Sequence, residues 1–330
     1  ACFAASDVIF QYFVGIDFFG IKPKHFLSGM FGEEAIAGGY IQRFAVLGCF
    51  SVPWLFNKNY RKSFPIFFLL LAICFFGTII SGNRVPTLML ILFFLLVSII
   101  FAVKKINYTR MIISLMVIGS LVLGSFVIIL SNNPVLKNRY HSIWAEKDSF
   151  YEIIPELKRS YPELEKYKNK KSWPEITDTE EYKILSKDRQ RNLPQVTGHT
   201  QIWITSLDIF MDDPILGRGI KSFRYTCYTK LHLPNRTCQS HPHHFYLEIL
   251  NDTGIIGLVI LLTALFMMFV KNFKKYFIAY SRGNLNLIFY AIIFALVIEF
   301  FPFRSHGSFF SVWNAAYVFF LIGIFSGLYE

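Results

Sequence analysis

Residues 254–270 read GIIGLVILLTALFMMFV, an apolar stretch without a single charged side chain. A helix rises about 1.5 Å per residue, so this stretch covers most of the roughly 30 Å of hydrocarbon in a bilayer. Six further apolar stretches lie near 38–56, 64–81, 87–103, 111–130, 285–301 and 308–328. The sequence therefore predicts an all-α polytopic membrane protein with about seven transmembrane helices in this chain.

The composition supports the membrane class. Hydrophobic residues make up 54% of the chain and charged residues only 17%, with 37 Phe among 330 positions. A soluble globular domain rarely carries so much apolar surface. The net charge of +11 is not gathered in a soluble basic module, which is what nucleic-acid binding would require. We expect membrane lipids around the chain and no nucleic-acid partner.

The short connections between apolar stretches set the orientation. The connections at 57–63 and 104–110 each hold three Lys or Arg residues, and the one at 271–284 holds four. Loops rich in these residues stay in the cytoplasm. The intervening segments, including the long one at 131–253, are therefore predicted to lie outside.

This orientation divides the chain into four parts. They are an outer segment at 1–37, four transmembrane helices at 38–130, a large outer loop at 131–253 and three transmembrane helices at 254–330. The first part is predicted to be a loop. Within the outer loop, residues 145–192 predict short amphipathic helices over the membrane, and 199–212 predict a further helix.

The distribution of charge argues against transport. The only Asp, Glu, Lys, Arg or His residues in the apolar stretches are Arg43 in the first and Glu299 near the outer end of the sixth. A transporter, including a flippase for lipid-linked glycans, usually needs a polar relay inside the membrane. The pattern favours chemistry at the outer surface, and a non-catalytic membrane scaffold remains an alternative.

Basic side chains gather on the predicted outer face. They are Arg84, Arg218, Arg224, His241, His243, His244, Arg304 and His306. A guanidinium binds phosphate through paired hydrogen bonds, so Arg84 and Arg224 are candidate anion ligands. Arg218 lies in a Gly-x-Gly turn whose backbone N–H groups would suit a phosphate. Two alternatives stay open: Arg84 can extend to lipid headgroups instead, and Gly-x-Gly is often only a turn.

The histidines at 241, 243 and 244 admit three interpretations. They could bind a metal, although no second cluster with ligand spacing is evident, or they could be polar boundary residues without a role. The third interpretation is a general base. Ser240 is predicted to cap the following helix, which puts His243 in the first turn. The helix dipole disfavours imidazolium there, and a base must be neutral before it takes a proton.

Three stretches resemble a known family. The run HHFYLEILNDTGIIG at 243–257 resembles the His-Asn-x9-Gly-x-x-Gly signature of the O-antigen ligases. RVPTL at 84–88 resembles their Arg-x3-Leu motif, and PILGRGIKSFR at 214–224 is similar to the segment they carry before the histidine. Residues 11–32 are similar but less specific. The resemblance covers most of the chain from Arg84 onward.

The resemblance implies a function and a location. It implies a GT-C-like helical architecture in the bacterial inner (cytoplasmic) membrane. The reaction would be an inverting, metal-independent glycosyl transfer without a cofactor, on the periplasmic face. The donor would be a glycan linked through pyrophosphate to undecaprenol. The acceptor would be a sugar hydroxyl of lipid A–core in a ligase or of a second lipid-linked glycan in a polymerase. A protein-directed oligosaccharyltransferase is a further variant.

The resemblance also implies roles for particular residues. His243 would act as the catalytic base. Arg84 and Arg224, with help from Arg218, would bind the pyrophosphate. The supporting residues would be His199, His241 and His244.

Three features depart from the family pattern. His244 stands where the family has Asn, and His199 stands where an arginine is usual four residues before Trp203, so Arg189 or Arg191 would have to substitute. Relatives carry more membrane helices, which implies helices upstream of this chain. Separately, Cys227 and Cys238 share the predicted outer loop. A disulfide between them is plausible in that oxidising compartment, although spacing cannot establish it.

Overall fold

The computed structural model describes residues 1–24, 26–55, 60–103, 119–120, 123–162, 164, 196–281 and 287–327, and all its regular elements in those ranges are helical. The helices are α1 (Cys2–Val14), α2 (Ala37–Leu55), α3 (Tyr60–Ile80), α4 (Arg84–Val103), α5 (Leu123–Asn132), α6 (Pro134–Tyr151), α7 (Ile153–Lys158), α8 (Gly198–Asp212), α9 (Phe223–Thr226), α10 (Phe245–Ser281), α11 (Leu287–Glu299) and α12 (Val312–Gly327). Short 3-10 turns lie at Gly29–Phe31 and Cys227–Lys230. The predicted all-α class is confirmed for these ranges.

One helical stretch among the described residues, Phe245–Tyr276, has the length and apolar composition of a membrane span. Shorter apolar helices are Cys2–Val14, Pro65–Ile80, Arg84–Ser98, Leu123–Asn132, Ile288–Glu299 and Val312–Gly327. Most of them coincide with predicted apolar stretches, but the number of seven spans stays a prediction. Parts of the predicted segments 111–130 and 145–192, together with Arg189 and Arg191, lie outside the described residues.

The chain forms two compact units. The first contains α1 to α5, the beginning of α6, and α11. The second contains the end of α6, then α7 to α10, and α12.

The prediction of a loop throughout residues 1–37 is wrong, because Cys2–Val14 is a helix. Its Ala5 is buried against α3, where a Cβ on Gly77 would come within 2.7 Å of the Ala5 Cα. The helix is too short to resemble a membrane span in the sequence. Packing against α3 stabilises it, since short helices gain most of their stability from burial.

Two polar side chains of α1 shape the following loop. Asp7 accepts hydrogen bonds from the backbone N–H of Phe18 (2.7 Å) and of Met30 (2.6 Å). Gln11 accepts one from the N–H of Gly29 at 2.9 Å. The family-like residues of this region therefore have a local structural role, because they satisfy buried backbone donors.

The two charges inside the predicted apolar stretches pair with each other in the first unit. Arg43 on α2 contacts Glu299 on α11 through Nη2–Oε1 (2.5 Å) and Nε–Oε2 (3.2 Å). The Glu299 side chain is only 1% exposed. A buried carboxylate requires such a partner, so the pair accounts for both residues without a transport relay.

Candidate functional site

His243 lies two residues before the first residue of α10 and is not part of the helix. Its backbone φ is 56°, a left-handed conformation that a helix cannot contain. The helix begins at Phe245, and the first intrahelical bond runs from the N–H of Glu248 to the carbonyl of His244 (3.0 Å). The prediction that Ser240 caps the helix and that His243 occupies its first turn is therefore wrong.

His244 caps α10 instead. Its Nδ1 accepts a 3.4 Å hydrogen bond from the N–H of Leu247, and its Nε2 lies 2.7 Å from the carbonyl oxygen of Pro302. A carbonyl only accepts, so Nε2 carries the proton and the ring is held as one neutral tautomer. Burial lowers the pKa of His244, which favours the same state. An Asn side chain also combines an acceptor with a donor.

Two imidazole rings, those of His241 and His199, lie beside the His243 ring in the second unit. The ring centroids of His241 and His243 are 4.1 Å apart, and those of His199 and His243 are 5.6 Å apart. Burial, followed by the nearby His241 and His199, lowers the pKa of His243 to about 4, although hydrogen bonding to the His306 backbone opposes the shift. His243 is therefore neutral at physiological pH, as a general base must be.

Arg224 on α9 adds a positive charge beside this cluster. The pKa of His241 is lowered first by burial and then by the charge of Arg224, against a hydrogen bond to the His306 backbone. Two nitrogens, Arg224 Nε and His241 Nε2, are buried without a hydrogen-bond partner among the described residues. Such groups are costly unless something binds them. Within the same residues, no group of three or more His, Cys, Asp or Glu side chains is arranged to hold a metal ion.

The loop before α12 completes the surroundings of His243. The N–H of His306 donates to the carbonyl of His243 (2.9 Å), and the His306 ring stacks on Phe245 with centroids 4.0 Å apart. Glu248, in the first turn of α10, accepts hydrogen bonds from Ser308 Oγ (2.5 Å) and the N–H of Phe309 (2.6 Å). These contacts hold the backbone of the candidate base and of the residues that follow it. Nothing in the local sequence indicates the role of Glu248.

A break in α10 explains the first glycine of the 254–257 motif. Gly254 has φ 66° and ψ −168°, outside the helical range. The N–H groups of Ile255 and Ile256 consequently donate to the carbonyls of Pro214 (2.9 Å) and Ile215 (3.4 Å). Only glycine fits, because a Cβ at this position would collide with the Ile215 backbone.

Gly217 makes the matching close approach from the other side. A Cβ on it would come within 2.6 Å of the backbone nitrogens of Thr253 and Gly254. The close approach at this crossing therefore depends on two facing glycines, one in the loop and one in the helix. The 214–224 segment thus packs directly against α10 at Gly254.

The Gly-x-Gly turn does not offer its N–H groups to a phosphate in this structure. The Asp252 carboxylate accepts hydrogen bonds from the N–H of Lys221 (2.6 Å) and from the N–H (3.3 Å) and Oγ (3.1 Å) of Ser222. The N–H of Gly219 donates to the Asp252 carbonyl at 2.9 Å. These N–H groups are engaged by the carboxylate and the backbone of Asp252, and phosphate binding at this turn stays a prediction.

Arg218 is paired with two carboxylates. Its Nε lies 2.5 Å from Asp213 Oδ2 and its Nη2 lies 3.3 Å from Asp212 Oδ2. Lys230 also contacts Asp212, at 2.8 Å. The charge of Arg218 is thus compensated within the loop, and its role as a pyrophosphate ligand stays a prediction.

Arg84 lies in the first unit, as the first residue of α4. Its Nη1 donates to Ser142 Oγ at 2.7 Å. Desolvation, and then the charge of Arg84, lowers the pKa of Arg139 on α6. The guanidinium groups of Arg84 and Arg139 therefore lie near each other. Nothing in the sequence distinguishes Arg139 as a candidate. The structure brings together His199, His241, His243, His244 and Arg224, whereas the position of Arg84 relative to them stays a prediction.

A buried ionic network supports the loop that leads to the histidines. Arg236 Nη1 lies 2.6 Å from Glu156 Oε1 and its Nε lies 2.7 Å from Asp208 Oδ2. The side chains of Arg236 and Glu156 are 2% and 0% exposed. In the sequence these residues are indistinguishable from solvated charges. The disulfide between Cys227 and Cys238, which the sequence alone left open, is present, with Cα atoms 5.2 Å apart.

Comparison with known proteins gives one family. Residues 67–262 match the family model described as O-Antigen ligase, which is more than half of the chain. The match includes Arg84, Arg224, the histidine cluster and both motif glycines. No curated protein matches the chain.

Proposed function

The chain belongs to the O-antigen ligase family, and on that premise we propose that it is a periplasmic-face glycosyltransferase that uses an undecaprenyl-pyrophosphate-linked glycan as donor. The family implies a membrane enzyme of the ligase or polymerase kind that acts on glycan substrates. The observation that carries the finer proposal is the neutral His243, held in a histidine cluster beside Arg224, whose Nε is buried.

His243 acts as the base in the proposed reaction. Its ring nitrogen accepts the proton of the acceptor hydroxyl while that oxygen bonds to the anomeric carbon of the donor. The bond between this carbon and the phosphate oxygen breaks, and its electron pair leaves with undecaprenyl pyrophosphate. Attack opposite the leaving group inverts the anomeric centre. The acceptor is the sugar hydroxyl of lipid A–core, or of a second lipid-linked glycan if the enzyme is a polymerase.

Arginines stabilise the leaving pyrophosphate. Arg224 is the first of these, because its buried Nε has no partner among the described residues. Arg84 is proposed on the strength of its motif, with Arg139 beside it as a second guanidinium. Preorganised positive charge is worth most where negative charge develops. Phosphate already leaves readily, so the reaction needs no carboxylic acid of the kind that glycoside hydrolases use. It also needs no metal or cofactor.

The proposed topology places this chemistry outside the inner membrane. Seven spans, with the parts at 1–37 and 131–253 on the periplasmic side, put the start of α10 at the membrane surface. The basic connections at 57–63, 104–110 and 271–284 support the orientation. The pairing of Arg43 with Glu299 supports an enzyme over a transporter.

Replacement of the base is the direct test. We expect His243→Ala to lower the transfer rate by at least about a hundredfold, because general-base catalysis contributes that much or more. The assay supplies undecaprenyl-pyrophosphate glycan, with lipid A–core or a second lipid-linked glycan, to the purified chain in the presence of EDTA. The product identifies ligase or polymerase activity.

His141→Ala is the matched control, since His141 is an exposed histidine on α6 and should keep wild-type activity. Near-normal transfer by His243→Ala contradicts the base role. Loss of wild-type transfer with EDTA, restored by a divalent ion, contradicts the metal-independent mechanism.

A further inference from the structure

Three aromatic rings from three separate elements meet beside His244. Phe150 lies in the last turn of α6, Trp203 lies on α8 and Phe303 lies in the loop before α12. The Phe150 centroid is 6.4 Å from that of Trp203 and 5.9 Å from that of Phe303. The Trp203 and His244 centroids are 5.3 Å apart. We call the three rings the aromatic platform.

The platform is held in place yet open. The N–H of Thr197, just before α8, donates to Ser149 Oγ at 3.0 Å, which ties the end of α6 to the start of α8. The carbonyl of Pro302 binds the His244 ring at 2.7 Å. Phe150 and Phe303 are nevertheless 43% and 61% exposed. Ring faces are therefore presented on a fixed frame next to the candidate base.

The flanking sequence argues against lipid as the occupant. Phe150 follows Glu146-Lys-Asp-Ser149, and Phe303 precedes Arg304-Ser-His306. Lys147 and Asp148 beside Phe150 are exposed, and such charges would be costly within hydrocarbon. Aromatic side chains with a few polar groups among them are typical of the lining of a ligand site.

We propose that the aromatic platform binds a sugar ring of the glycan substrate by stacking. The axial C–H bonds of a pyranose form an apolar face with a weak positive charge, which suits the negative face of an aromatic ring. Ring hydroxyls at the edge of the sugar then remain free to reach the neighbouring histidines. The proposal rests on the proposed glycosyl transfer. It adds the subsite that positions the sugar, which either donor or acceptor can supply.

Phe303 gives the cleanest test because its exposed ring can be removed with little loss of packing. For Phe303→Ala and Phe303→Leu we expect KM for one glycan substrate to rise by roughly fivefold to tenfold, with kcat nearly unchanged. Leu keeps apolar volume without a ring face, and Phe303→Trp should restore the wild-type KM. A rise confined to the acceptor, or to the donor, tells which sugar stacks.

Trp144→Ala is the control, since Trp144 is a 61% exposed aromatic on the same helix as Phe150 but outside the platform. Binding of acceptor and donor glycans is measured separately by calorimetry in the His243→Ala background, which reports stacking without turnover. If Phe303→Leu keeps the wild-type KM and the wild-type affinity for both glycans, the proposal that the aromatic platform binds a sugar ring is overturned. Absence of transfer by the wild-type chain, with glycan affinity that still depends on Phe303, overturns the proposed reaction alone.

Discussion

His243 owes its orientation to backbone contacts outside its own helix. A left-handed conformation is uncommon for a residue other than glycine and costs about 1 kcal/mol or more. The hydrogen bond from the His306 N–H to the His243 carbonyl stabilises it here. The imidazole lies beside those of His241 and His199.

The pH dependence of transfer tests the environment of His243. Because its pKa is lowered to about 4, the free enzyme keeps its base deprotonated through the neutral range. We expect kcat/KM to be flat from neutral pH to about pH 5 and to fall only below that, since kcat/KM reports the free enzyme. Bound pyrophosphate adds negative charge and raises the pKa, so kcat should fall at a higher pH than kcat/KM.

His199→Gln provides the internal comparison for this profile. The nearby His199 is one of the causes that lower the pKa of His243, so its removal should move the acidic limb of kcat/KM to higher pH. The wild-type kcat/KM could instead fall near the ordinary pKa of histidine, at a pH that His199→Gln does not change. That result would refute the assignment of His243 as the base. Thermal unfolding at each pH separates loss of activity from loss of structure.

At the scale of residues, motif spacing identified His243 but could not identify its neighbours. Arg139, Glu248 and Arg236 act through contacts that chain folding creates, and nothing in their local sequence distinguishes them from surface charges. The mistaken N-cap has a similar cause. Ser240 has the right local preference, but its hydroxyl binds His241 Nδ1 at 2.9 Å instead. Tertiary contacts at His243 then move the helix start.

At the scale of elements, α10 is the informative case. The apolar pattern predicts one helix from residue 254 onward, and the structure extends it back to Phe245 across a break at Gly254. Apolar periodicity cannot show such a break, because its cause is the carbonyl groups of Pro214 and Ile215 from another segment. By contrast, the helix predicted at 199–212 is confirmed by Gly198–Asp212, since its own apolar face specifies it.

A pair of glycine substitutions tests the break in α10. Gly254→Ala should lower the free energy of unfolding by about 3 kcal/mol or more, because the backbone is left-handed and the Cβ collides with Ile215. Gly219→Ala, also at positive φ but with nothing within 4 Å of its Cβ, should cost only about 1 kcal/mol. Denaturant unfolding in detergent measures both. Equal losses of unfolding free energy in the two variants would show that a Cβ at position 254 does not collide with the Ile215 backbone.

At the scale of the whole molecule, charge in the short loops predicts an orientation that labelling can check. In a variant whose free cysteines Cys2, Cys49 and Cys74 are replaced by Ser, we expect Lys147→Cys to react with a membrane-impermeant maleimide in intact spheroplasts. Lys274→Cys should react only after the membrane is opened, because it lies in a predicted cytoplasmic connection. The opposite pattern would invert the topology and move the histidine cluster to the cytoplasm.

The sequence could predict the class of the molecule because hydrocarbon thickness and loop charge act on any membrane chain alike. It could not predict the division into two compact units, since that depends on which helices pack together. The pairing of Arg43 with Glu299 illustrates the limit. Both residues were recognisable as costly, but a bond across 256 positions of separation leaves no trace in either local sequence.

The bond between Cys227 and Cys238 has a consequence for biogenesis. It closes the segment that leads to His241, and cytosolic thiols stay reduced. On the proposed topology, a chain inserted the wrong way round would keep two thiols where a correctly inserted chain has a cross-link. Alkylation of free thiols at these two cysteines therefore measures the fraction of molecules inserted in the wrong orientation. The measurement does not depend on any glycosyl transfer.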